Sequence, residues 1–195
     1  MQQYAGQSNI QTDHPIAPTT RIGHVHLKVA DIDRALGFYH DVLGFDIVIR
    51  MGNSAAFLSA GGYHHHIGMN TWESQGGQPP APGTTGLYHV AILYQERAEL
   101  ADAVRRLMVA GIPIGGASDH GVSEAIYLDD PDGNGVELYW DRPREEWPLD
   151  SDGNLTMFTK RLDIEGLLAL PELAVGFTAP ASPEALRAGI PRSSE

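Results

Sequence analysis

Histidine and carboxylate side chains fall at matching places in two stretches of this chain. The first stretch, Gly23-His24-Val25-His26-Leu27-Lys28-Val29, runs into a helical pattern over Asp31–Leu43. The second, Leu87-Tyr88-His89-Val90-Ala91-Ile92-Leu93, runs into another over Glu96–Ala110. The second copy then ends on Val136-Glu137-Leu138-Tyr139-Trp140. Two histidines and one carboxylate are the ligand set of a mononuclear non-haem iron(II) site. The expectation is a metalloenzyme.

Strand parity decides which of these side chains can meet. In Arg21–Val29 the apolar Val25, Leu27 and Val29 alternate with His24, His26 and Lys28, so both histidines share the face turned away from the helix. The same parity sets His89 with Ala91, and Glu137 with Tyr139, opposite the helix-facing Val90, Ile92, Val136 and Leu138. If the two sheets curve around a common cavity, His24, His89 and Glu137 all project into it. A single such histidine is most often just a hydrogen-bonded, partly buried side chain. Three residues at corresponding places of a repeat are harder to explain that way, and a lone carboxylate on a core strand is costly to bury without a cation.

Two further clusters could carry protons. Tyr63-His64-His65-His66-Ile67-Gly68 occupies the place in the first copy that the Glu137 strand occupies in the second. Parity with Ile67 on the helix side selects His64 and His66, whereas a kink at Gly61-Gly62 shifts the register and presents His65. A histidine run is also what an exposed polar loop can carry. In the other cluster, Asp119-His120-Gly121-Val122-Ser123 precedes Tyr127. A loop histidine can donate to a bound anion or to dioxygen, and a tyrosine hydroxyl can bond a substrate oxygen.

The elements that must position these residues are legible as apolar stripes. Ile32, Ala35, Leu36, Tyr39, Val42 and Leu43 line one helix face, and Leu100, Ala101, Val104, Leu107 and Met108 line another. Strands are expected at Phe45–Arg50, Ala55–Ala60 and Tyr63–Met69, then near Ile112–Ile114, at Glu124–Asp129 and at Val136–Trp140. The last two flank the turn cluster Asp130-Pro131-Asp132-Gly133-Asn134-Gly135. The fold expected is α+β: two βαβββ modules, 21–72 and 86–140, enclosing a metal cavity. The linker, 73–85, contains Gly76-Gly77, Pro79-Pro80 and Pro82-Gly83. Residues 1–20 read as an N-terminal arm and 141–195 as a C-terminal wrapping tail, with a short helix from Ser182 through Ala188.

Composition narrows the classes. The 195 residues are enough for a sizeable core, and 42% hydrophobic residues is ordinary for a globular protein. A net charge of −12 with only 13 Lys and Arg argues against nucleic acid. The absence of cysteine excludes disulfides, thiolate zinc sites, iron–sulfur clusters and a catalytic thiol. There is no apolar run of the ~20 residues a membrane helix needs, and Met1–Gly6 lacks a signal-peptide pattern. The expected setting is cytoplasmic.

Across roughly Arg21–Trp140 the paired units resemble the modules of the vicinal oxygen chelate superfamily, which groups glyoxalases, bleomycin resistance proteins and dioxygenases. Within that span His24-Val25-His26-Leu27, Asp119-His120-Gly121-Val122-Ser123, Tyr127 and Asp130-Pro131-Asp132-Gly133-Asn134-Gly135-Val136-Glu137-Leu138-Tyr139 resemble type I extradiol catechol 2,3-dioxygenases. The resemblance implies Fe(II), with Mn(II) as the alternative, on His24, His89 and Glu137, in agreement with parity. It implies an acid/base histidine at His65, where parity favours His66, and it implies roles for His120 and Tyr127. The implied activity is extradiol (meta) cleavage of a catechol-type diol with O2, as in aromatic hydrocarbon catabolism. Partners are then the diol and O2, with further copies of the chain in a homo-oligomer. Two alternatives share the fold. A glyoxalase-type isomerase or lyase uses four protein ligands, normally with a carboxylate on the first module's last strand, where this chain offers only histidine. A metal-free binding module needs no ligand triad.

Overall fold

Alternating apolar residues build the strand, helix and three-strand order twice. The computed structural model describes residues 15–173; residues 1–14 of the arm, and the short helix expected at 182–188, lie outside the described residues. The first module comprises β1 (Val25–Lys28), α1 (Ile32–Leu36) with a π-helical continuation over Gly37–Val42, β2 (Asp46–Met51), β3 (Ala55–Ser59) and β4 (Ile67–Asn70). The second comprises β5 (Val90–Tyr94), α2 (Arg97–Ala110), β6 (Gly116–Asp119), β7 (Ser123–Asp129) and β8 (Gly135–Asp141). Beyond it come β9 (Lys160–Arg161) and α3 (Ile164–Leu168).

The four strands of the first sheet run in the order β1-β4-β3-β2, and the five of the second in the order β5-β8-β7-β6-β9. In each, the first strand lies parallel to the last of its module, with Val25 opposite Ile67 and Val90 opposite Val136. That pairing brings the strand that follows His24 in one copy, and His89 in the other, beside the strand that closes the copy.

One face of each sheet packs on the helices; the other is open at β1 but buried along much of β3, β4 and β7. Leu27, Val29, Ile67 and Met69 are buried with Phe38, Tyr39 and Val42; Ile126, Val136 and Leu138 are buried with Leu100, Val104 and Leu107. All belong to a single continuous cluster, so the modules share one core on their helical sides. The Asp130–Gly133 turn fastens them. Tyr39 donates its hydroxyl to Asp130 Oδ2 at 3.0 Å, the Ala30 N–H donates to Asp132 Oδ1 at 2.9 Å, and Arg34 pairs with Asp132.

Tyr39 is fully buried, so Tyr39→Phe keeps its packing and removes only that bond. The expected cost is about 1 kcal/mol of stability, read as a lower urea midpoint with an unchanged slope. An unchanged midpoint would show that the bond does not fasten the modules.

Three elements differ from the sequence expectation; the strand expected at Tyr63–Met69 runs only from Ile67 to Asn70, because the Gly61-Gly62 turn leaves His64–His66 outside it. The strand expected near Ile112–Ile114 forms instead at Gly116–Asp119, where Ser118 pairs with Ala125. Ile112 and Ile114 lead into it and pack on the core as partly buried residues. Within the segment read as a wrapping tail, β9 joins the edge of the second sheet against β6, and Leu162 and Leu167 enter the core. Among the described residues no helix is long and apolar enough to cross a membrane.

Candidate active site

On the open face of the second sheet a run of polar side chains crosses three strands. Ala91 stands opposite Glu137, and Glu137 opposite Tyr127. His89, two residues before Ala91, leans along the same face, and its Nε2 lies 2.9 Å from Glu137 Oε2. Gly135 permits that approach, because a Cβ there would collide with the Tyr88 carbonyl oxygen. Tyr127 donates its hydroxyl to Glu137 Oε1 at 2.8 Å, and His120 Nε2 lies 2.8 Å from the same hydroxyl oxygen. Burial first, then the Glu137 carboxylate, pushes the Tyr127 hydroxyl well above the ordinary tyrosine range. It therefore remains a proton donor at neutral pH.

The first sheet gathers the other histidines. His24 and His26 are exposed on its open face. Gly61 and Gly62 both adopt positive φ, 65° and 80°, a conformation that favours glycine, and the turn they make re-aims the chain before β4. As a result the His65 ring sits 4.4 Å from the His24 ring and 5.2 Å from Phe57, centroid to centroid. His66 turns the other way, its Nδ1 3.3 Å from both Ser59 Oγ and the Ala60 amide nitrogen, with its ring against Tyr63. His64 lies over Tyr63, with its Nδ1 2.8 Å from His65 Nδ1. Desolvation, then repulsion from His24 and His64, lowers the His65 pKa below the ordinary histidine value.

The structure therefore brings together His89, Glu137, Tyr127 and His120 in one group, and His24 with His65 in another. Among the described residues no cluster of three or more His, Asp or Glu side chains is close enough to hold an ion. The donors nonetheless suit a divalent metal in kind. His89 and Glu137 converge, and His89 Nδ1 is a buried polar atom with no protein partner. His24 lines a cleft of about 600 Å³ together with His66, Val90 and Ala91; His65, His89, Tyr127 and Glu137 are not part of its lining.

Residues from beyond β8 also reach the site, and the sequence reading missed them. The Phe158 carbonyl oxygen lies 3.1 Å from His120 Nδ1, and Thr159 Oγ1 lies 3.3 Å from the same atom. A backbone carbonyl leaves no trace in residue type, so the only cue was an isolated aromatic.

The arrangement of two βαβββ modules has known counterparts. The family model of the Glyoxalase/Bleomycin resistance protein/Dioxygenase superfamily matches residues 21–138, and the chain belongs to that superfamily. It is 46% identical to catechol-2,3-dioxygenase of Bacillus subtilis over 149 residues, 76% of this chain and 51% of that protein. It is 32% identical to biphenyl-2,3-diol 1,2-dioxygenase 3 of Rhodococcus globerulus, covering 63% of this chain and 64% of that one. The chain thus spans about half of the first relative's length and just under two thirds of the second's. A glyoxalase/dioxygenase structure from Nostoc punctiforme superposes with a TM-score of 0.53 at 21% identity, over 67% of this chain and 99% of that one. That likeness concerns the fold alone.

Proposed function

We propose that this chain is an Fe(II)-dependent extradiol dioxygenase of a catechol-type diol, with His24, His89 and Glu137 as the metal ligands. Mn(II) is the alternative ion for the same donors. The observation that carries the reading is the linked run His120, Tyr127, Glu137 and His89 on one open face. The identity to the Bacillus enzyme adds to it. In the reaction both atoms of O2 enter the product, the ring C–C bond beside the diol breaks, and a carboxyl and an aldehyde (or a ketone, on a substituted ring carbon) take its place. Iron(II), when bound, supplies positions for the two diol oxygens and for dioxygen.

The protein's own groups handle protons and orientation. His65, whose pKa is lowered chiefly by desolvation, accepts a proton from the diol; catalysis of this kind is typically worth ~10²–10⁴-fold. Tyr127, whose hydroxyl donates to Glu137 Oε1 in this structure, turns that proton to a substrate oxygen when the diol binds, with His120 beside the hydroxyl. Phe57 and Trp72, whose rings lie 5.8 and 5.9 Å from that of His26, offer apolar surface for an aromatic ring.

The test is metal content of the purified chain after anaerobic reconstitution, followed by the absorption change on adding catechol without oxygen. Bound iron or manganese, a diol-dependent spectrum and uptake of one O2 per diol are expected. A reconstituted protein that takes up neither metal, or that isomerises a glutathione hemithioacetal and leaves catechol intact, would overturn the reading.

A further inference from the structure

We propose that the segment after β8 is a positioning element of this site: the Phe158 carbonyl fixes His120 in the tautomer that carries its proton on Nδ1 and turns a bare Nε2 toward Tyr127. The catalytic meaning of this inference rests on the function proposed above, but its geometry does not.

The loop that carries His120 is held from both sides. The His120 N–H donates to the Ser123 carbonyl at 2.9 Å, and the Gly121 N–H donates to Asp119 Oδ1 at 2.8 Å. Gly121 has φ +80° and packs against Phe158 and Pro148, where a Cβ would collide with both side chains. Phe158 then brackets His120. Its N–H donates to the His120 carbonyl at 3.2 Å, and its own carbonyl faces His120 Nδ1 at 3.1 Å. β9 extends the grip, pairing Lys160 with Asp119 and Arg161 with Ser118. Arg142, bonded to Asp119 and Glu124, ties the start of the segment to the same loop.

A carbonyl oxygen can only accept a hydrogen bond, and the longer contact to Thr159 Oγ1, at 3.3 Å, is to a hydroxyl that can accept as well; the Phe158 contact therefore places the proton on Nδ1. In a neutral ring Nε2 is then the acceptor, and it is the atom turned toward the Tyr127 hydroxyl. Free histidine favours the other tautomer, with the proton on Nε2; the Phe158 contact reverses the choice. Tyr127 has one hydroxyl proton and two acceptors beside it, His120 Nε2 and Glu137 Oε1.

The test is imidazole ¹⁵N spectroscopy of the full chain, metal-free and loaded with diamagnetic zinc, with His120 assigned by the signals lost in His120→Gln. At high pH His120 is expected to show a protonated Nδ1 and an unprotonated Nε2. Phe158→Ala should move it toward a mixture of tautomers, and Phe158→Leu, which keeps the packing on Gly121, should restore the wild-type pattern. A wild-type His120 protonated on Nε2 overturns the proposal, as does a Phe158→Ala variant that keeps the pure wild-type tautomer. Should Phe158→Ala fail to fold, the wild-type spectrum still decides. No turnover enters the measurement, so a chain that cleaves no catechol can still pass this test, and an active dioxygenase can fail it.

Discussion

Glu137→Gln is expected to leave the protein folded and to strip it of iron. The amide matches the carboxylate in size, and it sits on a strand whose neighbours Val136 and Leu138 remain buried in the core. One amide oxygen can still accept from Tyr127, as Glu137 Oε1 does at 2.8 Å. What disappears is the negative charge beside His89 Nε2, and with it the only anionic member of the proposed ligand set. Losing a hydrogen-bond partner of a metal ligand costs 10–100-fold in affinity, and losing the ligand's charge should cost more than about 100-fold. Turnover should fall in proportion to iron occupancy. The measurements are metal content after reconstitution and thermal unfolding followed by circular dichroism. A variant with full iron occupancy and wild-type activity would remove Glu137 from the ligand set.

The parts of this molecule that could be read from sequence are those where one face is buried. β1 and β8 alternate because Leu27, Val29, Val136 and Leu138 enter the core, so parity alone gives the expected facing of Glu137 and of His24, one residue before β1. The same rule fails for β6. Gly116-Ala117-Ser118-Asp119 has no apolar rhythm, and pairing with β7 makes it a strand. β9 is two residues long and declares itself only through its partner. The stripe over Asp31–Leu43 located the first helix but not its π-helical second half, since inward-facing Phe38, Tyr39 and Val42 suit either winding.

At the site the division is similar. Side chains on regular strands could be placed, whereas those next to turns could not. Parity carried back from Ile67 across His66 assumes an unbroken strand, and the Gly61-Gly62 turn ends that strand just before β4. Phe158 escaped notice because its contact with His120 is made by the main chain.

His65→Ala is expected to keep the metal and slow ring cleavage by ~10²–10⁴-fold, the range for loss of a general acid or base. The ring lies against His24 and Phe57 on the open face, whereas His66 bonds to Ser59 and the Ala60 amide at the far edge of β3. His66→Ala should therefore leave turnover close to wild type. The pH profile separates a proton carrier from a space-filler. A base acts when deprotonated, so activity falls as pH drops through its pKa. Desolvation, the leading cause, lowers that pKa without any charge on His24, which puts the acid limb of the wild-type profile below the ordinary histidine value of about 6.5. The limb should vanish in His65→Ala and persist in His66→Ala. Iron content is read beside turnover in both variants. If His66→Ala is the slow one, strand parity describes the site better than its present geometry does. If either variant loses its metal outright, that histidine is a fourth ligand and a glyoxalase-type isomerase becomes the better description. His65 stands close enough to His24 for that outcome to be a real alternative, so metal retention in His65→Ala is the measurement that divides the two chemistries of this superfamily.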